Sequence, residues 1–168
     1  MAMVGLFWIT EHSVYVGSPP DPAGHCVRIT SEGVRARGPD GIRAWPWSTL
    51  GSVEVEAAPV GSHAKDAGRF LAVVAEAVLT LGSGYGGGEP PQMLLVLGTQ
   101  DGAQEEVRVA AATSGYTSRE IALSQNLLAR FREGTADPRT LLGWSRQHGD
   151  DTPRPPEREA LLHGWTHG

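Results

Sequence analysis

The stretch CVRITSEGVRARGPDGIRAWPWSTLGSVEVEA, residues 26–57, limits what this chain can fold into more than any other. Val27 and Ile29 alternate with Arg28, and Val34 and Ala36 alternate with Arg35 and Arg37. Val53 and Val55 alternate with Glu54 and Glu56. A period of two buries one face of a strand and wets the other. The Ser31-Glu32-Gly33 step reads as a turn. So does Gly38-Pro39-Asp40-Gly41, where Pro39 is pre-set for the second turn position. The segment therefore reads as consecutive antiparallel strands.

Pro46 has no N–H to give a ladder, so the strand beginning at Ile42 bends or ends there. Trp45 and Trp47 share a parity, and a bend at Pro46 separates them. Two readings follow. At least one ring plugs the end of a sandwich or barrel, or both face outward as a ligand platform. The first is favoured, because a buried aromatic covers more core than any other side chain.

Upstream, LFWIT (6–10) and VYV (14–16) are aromatic and β-branched and read as a hairpin across Glu11-His12-Ser13. GSPPDPAGH (17–25) is a loop. Downstream the period changes. Apolar residues at 70, 71, 74, 77, 78 and 81 predict a helix over 63–81, with Ser62 as N-cap and Gly82 as C-cap. A glycine-rich connector (82–91) leads to two strands, QMLLVLG (92–98) and EEVRVAA (105–111), joined by a hairpin signalled by Asp101-Gly102. The last third is helical. Thr117 and Glu120 have capping-box spacing ahead of a stripe of Ile121, Leu127, Leu128 and Phe131. Gly134 closes that helix. Asp137 and Pro138 start a second helix, ended by Gly149. A linker (150–156) precedes a short last helix carrying Leu161, Leu162 and Trp165.

Composition narrows the function classes. The formal net charge is -5, and Lys65 is the single lysine among fourteen basic residues. A nucleic-acid binder carries a basic stripe, and here only Arg35, Arg37 and Arg43 cluster, interrupted by Asp40. No nucleic-acid partner is expected. Cys26 is the one cysteine, which excludes an internal disulfide. The most apolar run, 70–81, is too short to span a bilayer and carries Glu76, so no stable membrane insertion is expected. The N-terminus shows no signal-peptide pattern, and a cytoplasmic location is expected.

The chemical motifs are weak. The glycine run follows a helix and leads into a strand, the reverse of a phosphate-cradling loop, and it has no lysine. His25 and Cys26 are neighbours on a strand and point to opposite faces, so they form no dyad with each other. His163 and His167 have metal-binding spacing, but Gly164 weakens their helix and no general base stands between them. No catalytic residue, cofactor or metal is expected.

The order of elements, and in particular TSEGVRARG followed by WPWSTLGSVEV and the helix SREIALSQNLLARF, resembles bacterial pleckstrin-homology-like (PH-like) domains. The likeness covers residues 4–133 and is one of pattern. It implies an α+β fold: an antiparallel β-sandwich or partly open barrel, here with a helical insert at 63–81 and a capping helix at 118–133. Residues 134–168 are expected as a helical extension and tail. The resemblance implies a binding scaffold and no catalytic residues. The first hairpin loop, Glu11-His12-Ser13, lacks the basic residues with which eukaryotic relatives bind phosphoinositides.

The expected function is a non-enzymatic interaction or scaffold module, bound to a protein partner or to itself through apolar helices. Phe70, Leu71, Val74, Val78 and Trp144 are the expected contact residues, because apolar surface beyond the needs of a small core marks partner sites. The alternative is a small-molecule binder or enzyme with its site at the barrel mouth near Trp45, Trp47 and Cys26. If the 63–81 helix is an interface, Val74→Asp dissolves the complex in size-exclusion chromatography and leaves the melting curve of the isolated chain unchanged. Unfolding of that variant would instead make the helix core.

Overall fold

The computed structural model describes residues 1–61 and 89–168. The helix expected at 63–81, with Phe70, Leu71, Val74 and Val78, lies outside the described residues.

Nine strands form two antiparallel sheets. The first is a meander of β1 (Ala2–Val4), β2 (Phe7–Ile9), β3 (Val14–Val16), β4 (Cys26–Ile29), β5 (Gly33–Gly38) and β6 (Gly41–Pro46), in that spatial order. The second is β7 (Leu50–Glu56), β8 (Gln92–Thr99) and β9 (Gln104–Ala110). Among the described residues no ladder joins the sheets, and they close no barrel. Three helices follow: α1 (Ser118–Glu133), α2 (Arg139–His148) and α3 (Pro155–His167). The chain is thus α+β with two antiparallel sheets. None of these helices is long and apolar enough to cross a membrane.

The alternation sets the faces as expected. Val27, Ile29, Val34, Ala36, Val53 and Val55 are all buried. β1 is an addition to the expected set. It and β2 are three residues each, buried throughout, and joined by Gly5 and Leu6. Gly5 takes a left-handed φ of 57°, and a Cβ there would collide with Ser124 and Leu162. The two strands have no polar face and no polar punctuation, so no period of two betrays the break.

The corner after Pro46 is a 3-10 turn, Trp47–Thr49. It sends both tryptophans into structure. Trp45 is 7% exposed, and its indole N–H donates to Glu105 of β9. Trp47 is half-buried; its N–H donates to the Thr30 carbonyl at 3.0 Å, and its ring lies 6.5 Å from that of Phe131. Phe131 also meets Phe7 edge-on at 6.2 Å. The end of α1 therefore packs between the first sheet and the corner, and no outward aromatic platform exists at these two residues.

α1 begins with the expected capping box. Thr117 accepts the Glu120 N–H at 3.0 Å, and the Glu120 carboxylate accepts the Thr117 N–H at 2.9 Å. The same carboxylate is fully buried and receives two guanidinium N–H groups of Arg158 on α3. Arg158 gives another N–H to the Pro153 carbonyl at 3.1 Å. The Thr117 hydroxyl donates to Glu159 at 2.7 Å. At the far end Arg130 donates to the Thr166 carbonyl. These pairings set α3 parallel to α1. The residues expected as an extension share the central core: Leu141, Trp144 and Leu162 join the cluster that holds β1 and β2.

Removing one partner of a buried ion pair strands the other charge, which costs about 3–5 kcal/mol. Arg158→Met should lower the urea midpoint accordingly. The double variant Glu120→Met/Arg158→Met should recover most of the loss. A loss in Arg158→Met below about 1 kcal/mol would mean that the pair does not hold α3 in place.

Candidate functional site

The start of β4, the β5–β6 turn and β9 line a cleft of about 360 Å³ between the sheets. Its floor is apolar, from Val27, Ala36 and Val109. Its rim is polar. The loop before β4 supplies Asp21 and His25, β4 Cys26, β5 Arg37, β6 Arg43, and β9 Glu106 and Arg108.

Local chemistry builds each part of this rim. Asp21 folds its own loop: one carboxylate oxygen accepts the His25 N–H at 2.7 Å, and the other lies 3.0 Å from His25 Nδ1. Gly24, at φ 82°, donates to the Asp21 carbonyl and makes the turn. The guanidinium of Arg43 lies over the Trp45 ring at 5.1 Å and 4.0 Å from Glu105. The wall at β9 is backbone. The Ala111 N–H reaches the Pro91 carbonyl, and the alternation of an antiparallel ladder then turns the N–H and C=O groups of Glu106 and Arg108 away from β8. Ala110 completes that series, and its carbonyl accepts the Ser18 N–H at 2.8 Å.

The cleft does not present an activated nucleophile. Burial pushes the Cys26 thiol up, against the smaller opposing pull of Arg28 and Arg37. A protonated thiol is a poor nucleophile. His25 adjoins Cys26 in sequence but is held by Asp21. Among the described residues no hydrogen bond joins the Cys26 thiol to a base, the pairing that covalent catalysis by a cysteine uses.

The outer face of the same hairpin is cationic. The register sets Arg28 directly opposite Arg35, Cys26 opposite Arg37, Arg35 opposite Ala44 and Arg37 opposite Ile42. Arg28, Arg35 and Arg37 therefore share one face at direct or diagonal spacing. Like charges set opposite each other destabilise a sheet. Arg35 has Glu32 at 3.2 Å. Among the described residues Arg28 and Arg37 have no acidic partner within ion-pair distance.

β6 is the edge of this sheet. Its first four residues, Gly41 to Ala44, are all exposed, and Ile42 is 72% exposed. The Trp47 N–H bonds to the Glu32 carbonyl, so in register Trp45 and Arg43 carry the bonds to β5. The N–H and C=O groups of Ile42 and Ala44 point the other way. Among the described residues they have no hydrogen-bond partner.

The residues expected from sequence are placed as follows. Trp144 is 7% exposed and meets Trp165 edge-on at 5.6 Å and His148 in a stack at 5.0 Å. It is core of the described chain rather than open surface. Cys26 lines the cleft, and Trp45 borders it through Arg43. Trp47 lies elsewhere, over a shallow depression lined by Ser31, Phe131 and Pro138. His163 and His167 stack at 4.2 Å, and among the described residues no group of three or more His, Cys, Asp or Glu could hold a metal ion. Ile42 and the outer arginine face were not singled out as a contact surface. The signal was available: Ile42 is a large apolar residue set next to a turn glycine on the strand that Pro46 ends.

No family model, curated protein or solved structure matches this chain.

The raised thiol gives a direct check. Cys26 should react with iodoacetamide more slowly than a free cysteine peptide at neutral pH, with its rate–pH midpoint above the ordinary thiol range near 8.5. A midpoint below that range would mark an activated nucleophile and revive the enzyme reading.

Proposed function

We propose that this chain is a non-enzymatic protein-interaction module of PH-like type, and that it docks a partner along the free edge of β6. One observation carries the reading. Ile42 and Ala44 offer four backbone hydrogen-bonding groups to the outside, beside a 72% exposed isoleucine. Proteins blunt such edges because they template pairing with another chain. Here another edge is visibly blunted. The side-chain amide of Gln125 on α1 accepts the Val55 N–H at 3.0 Å and donates to the Val55 carbonyl at 2.6 Å, standing in for a strand beside β7. β6 carries no such plug among the described residues. Strand addition to an exposed edge is a recurring mode of peptide recognition.

The PH-like reading rests on pattern: two antiparallel sheets meeting at the Pro46 corner, with α1 set against β7 and the corner. The contact residues expected at 63–81 lie outside the described residues, and this reading does not rest on them.

A second reading takes the cleft as a pocket for a small molecule. Its apolar floor and polar rim favour that, and its volume is at the low end for such sites, about 300–1,000 Å³.

The test uses a proline. At Ala44 the N–H points away from β5, so Ala44→Pro keeps the β5–β6 ladder and deletes an outward donor. The tagged chain and this variant, each purified from the source cell and compared by quantitative mass spectrometry, should differ in one stoichiometric partner. The variant should melt within a few degrees of the parent, since a proline compatible with the local backbone changes stability by about 1 kcal/mol or less. Recovery of the same partner with both proteins would remove the edge of β6 as the docking element.

A further inference from the structure

We infer that the segment docking on β6 is an extended peptide with acidic side chains at alternate positions, read by Arg28, Arg35 and Arg37. The inference rests on the edge reading above and adds the chemistry of the partner.

A strand added beside β6 would bond to Ile42 and Ala44. Its residues opposite them would project on the same face as Ile42, Ala44 and the arginines. The row through Arg28, Arg35 and Ala44 points at one such residue, and the row through Cys26, Arg37 and Ile42 at the next but one. Ala44 is small, so Arg35 has an unobstructed path over it. An arginine side chain and a glutamate together span the width of one intervening strand, where neighbouring strands lie about 4.8 Å apart. Carboxylates at alternate positions would thus meet guanidinium groups that have too few acidic partners of their own.

Charged residues also serve to repel unwanted pairing at edges. That use places the charge on the edge strand itself. Here the one charge on β6, Arg43, lies on the other face, over Trp45 and 4.0 Å from Glu105. The outer-face residues of β6 are Ile42 and Ala44, and the outer-face arginines lie on the two strands behind it. Self-pairing of β6 with a second copy would bring two arginine faces together on one side of the joined sheet. Their repulsion disfavours a homodimer through this edge and favours an acidic partner. Glu32 beside Arg35 is the one acid within ion-pair distance of this face among the described residues, and it is exposed, so a ligand carboxylate can displace it.

The experiment is fluorescence anisotropy of the full chain with two labelled peptides, one alternating Glu and Thr, the other alternating Lys and Thr. The variants are Ala44→Pro and the triple change Arg28→Ser, Arg35→Ser and Arg37→Ser, each checked by thermal melting. The acidic peptide should bind and the basic one should not. Affinity should fall by about tenfold in each variant, the loss expected for a missing backbone bond or for several exposed ion pairs. It should also fall on raising the salt, which screens exposed charges. Equal binding of both peptides, abolished by Ala44→Pro, would keep the edge and overturn the acidic specificity. Binding of the acidic peptide that survives Ala44→Pro and is lost in the triple variant would show ion attraction without strand pairing and overturn both readings. Absence of binding by the acidic peptide overturns the inference. If Ala44→Pro fails to fold, nitrogen-15 NMR of the parent chain decides the same point: titration with the acidic peptide should move the Ile42 and Ala44 amides more than those of Arg43 and Trp45, and unmoved Ile42 and Ala44 amides overturn strand pairing.

Discussion

A backbone amide at the edge of a sheet must find a partner or stay in water, and two antiparallel sheets present four edges. This chain settles them in different ways. β7 is closed by the Gln125 amide, which meets both polar groups of Val55. β1 receives the Thr152 hydroxyl at the Met3 N–H, 3.2 Å away, and Ser124 takes the Leu6 N–H just beyond it. β9 gives one carbonyl to Ser18, and Glu106 and Arg108, whose backbone groups also turn outward, line the cleft. At β9 and at β6 consecutive outward groups lie without a partner among the described residues; Glu106 and Arg108 of β9 line the cleft, whereas Ile42 and Ala44 of β6 lie on a run of four exposed residues. The rest of the structure follows from this division. The helices pack against β1 and β7, and the edge of β6 makes no hydrogen bonds to them among the described residues.

The helices can do this because one buried joint holds them. The Glu120 carboxylate caps its own helix and takes Arg158 from α3. A buried pair of this kind is weak evidence for net stability, since desolvation offsets much of the attraction. Its contribution is to orientation. An alternative packing of α3 would leave a bare charge in the core, so the pair selects the parallel arrangement. Ser124 and Gln125 lie on α1 and Thr117 caps it; they meet β1–β2, β7 and α3 in turn. α1 is thus the hub that reaches both sheets.

Much of the fold was legible in the sequence. Alternation located β4, β5 and β7. Asp101-Gly102 located the β8–β9 turn, and Thr117 with Glu120 located the start of α1. These features are local, and local chemistry decides them. What escaped was decided by contacts distant in sequence. β1 is buried on both faces and carries no alternation. Glu120, Ser124 and Arg158 are polar, so a search for apolar stripes passes over them, yet each is buried because its partner is supplied from elsewhere in the chain. Trp144 reads as surplus apolar surface until Trp165 arrives from α3. The site was legible in its parts, Cys26, the arginines and the Pro46 bend. It was not legible as a site, because which face and which edge of β6 stay open depends on where α1, β9 and the loop at 17–25 come to rest.

Amide hydrogen exchange on the isolated chain tests the open edge most directly. The Arg43, Trp45 and Val55 amides are bonded to β5 or to Gln125 and should be protected. The Ile42 and Ala44 amides, one residue away, should exchange at rates close to those of an unstructured chain. Protection of Ile42 and Ala44 equal to that of Arg43 and Trp45 would mean that this edge is already covered, and a docking strand would have nowhere to add.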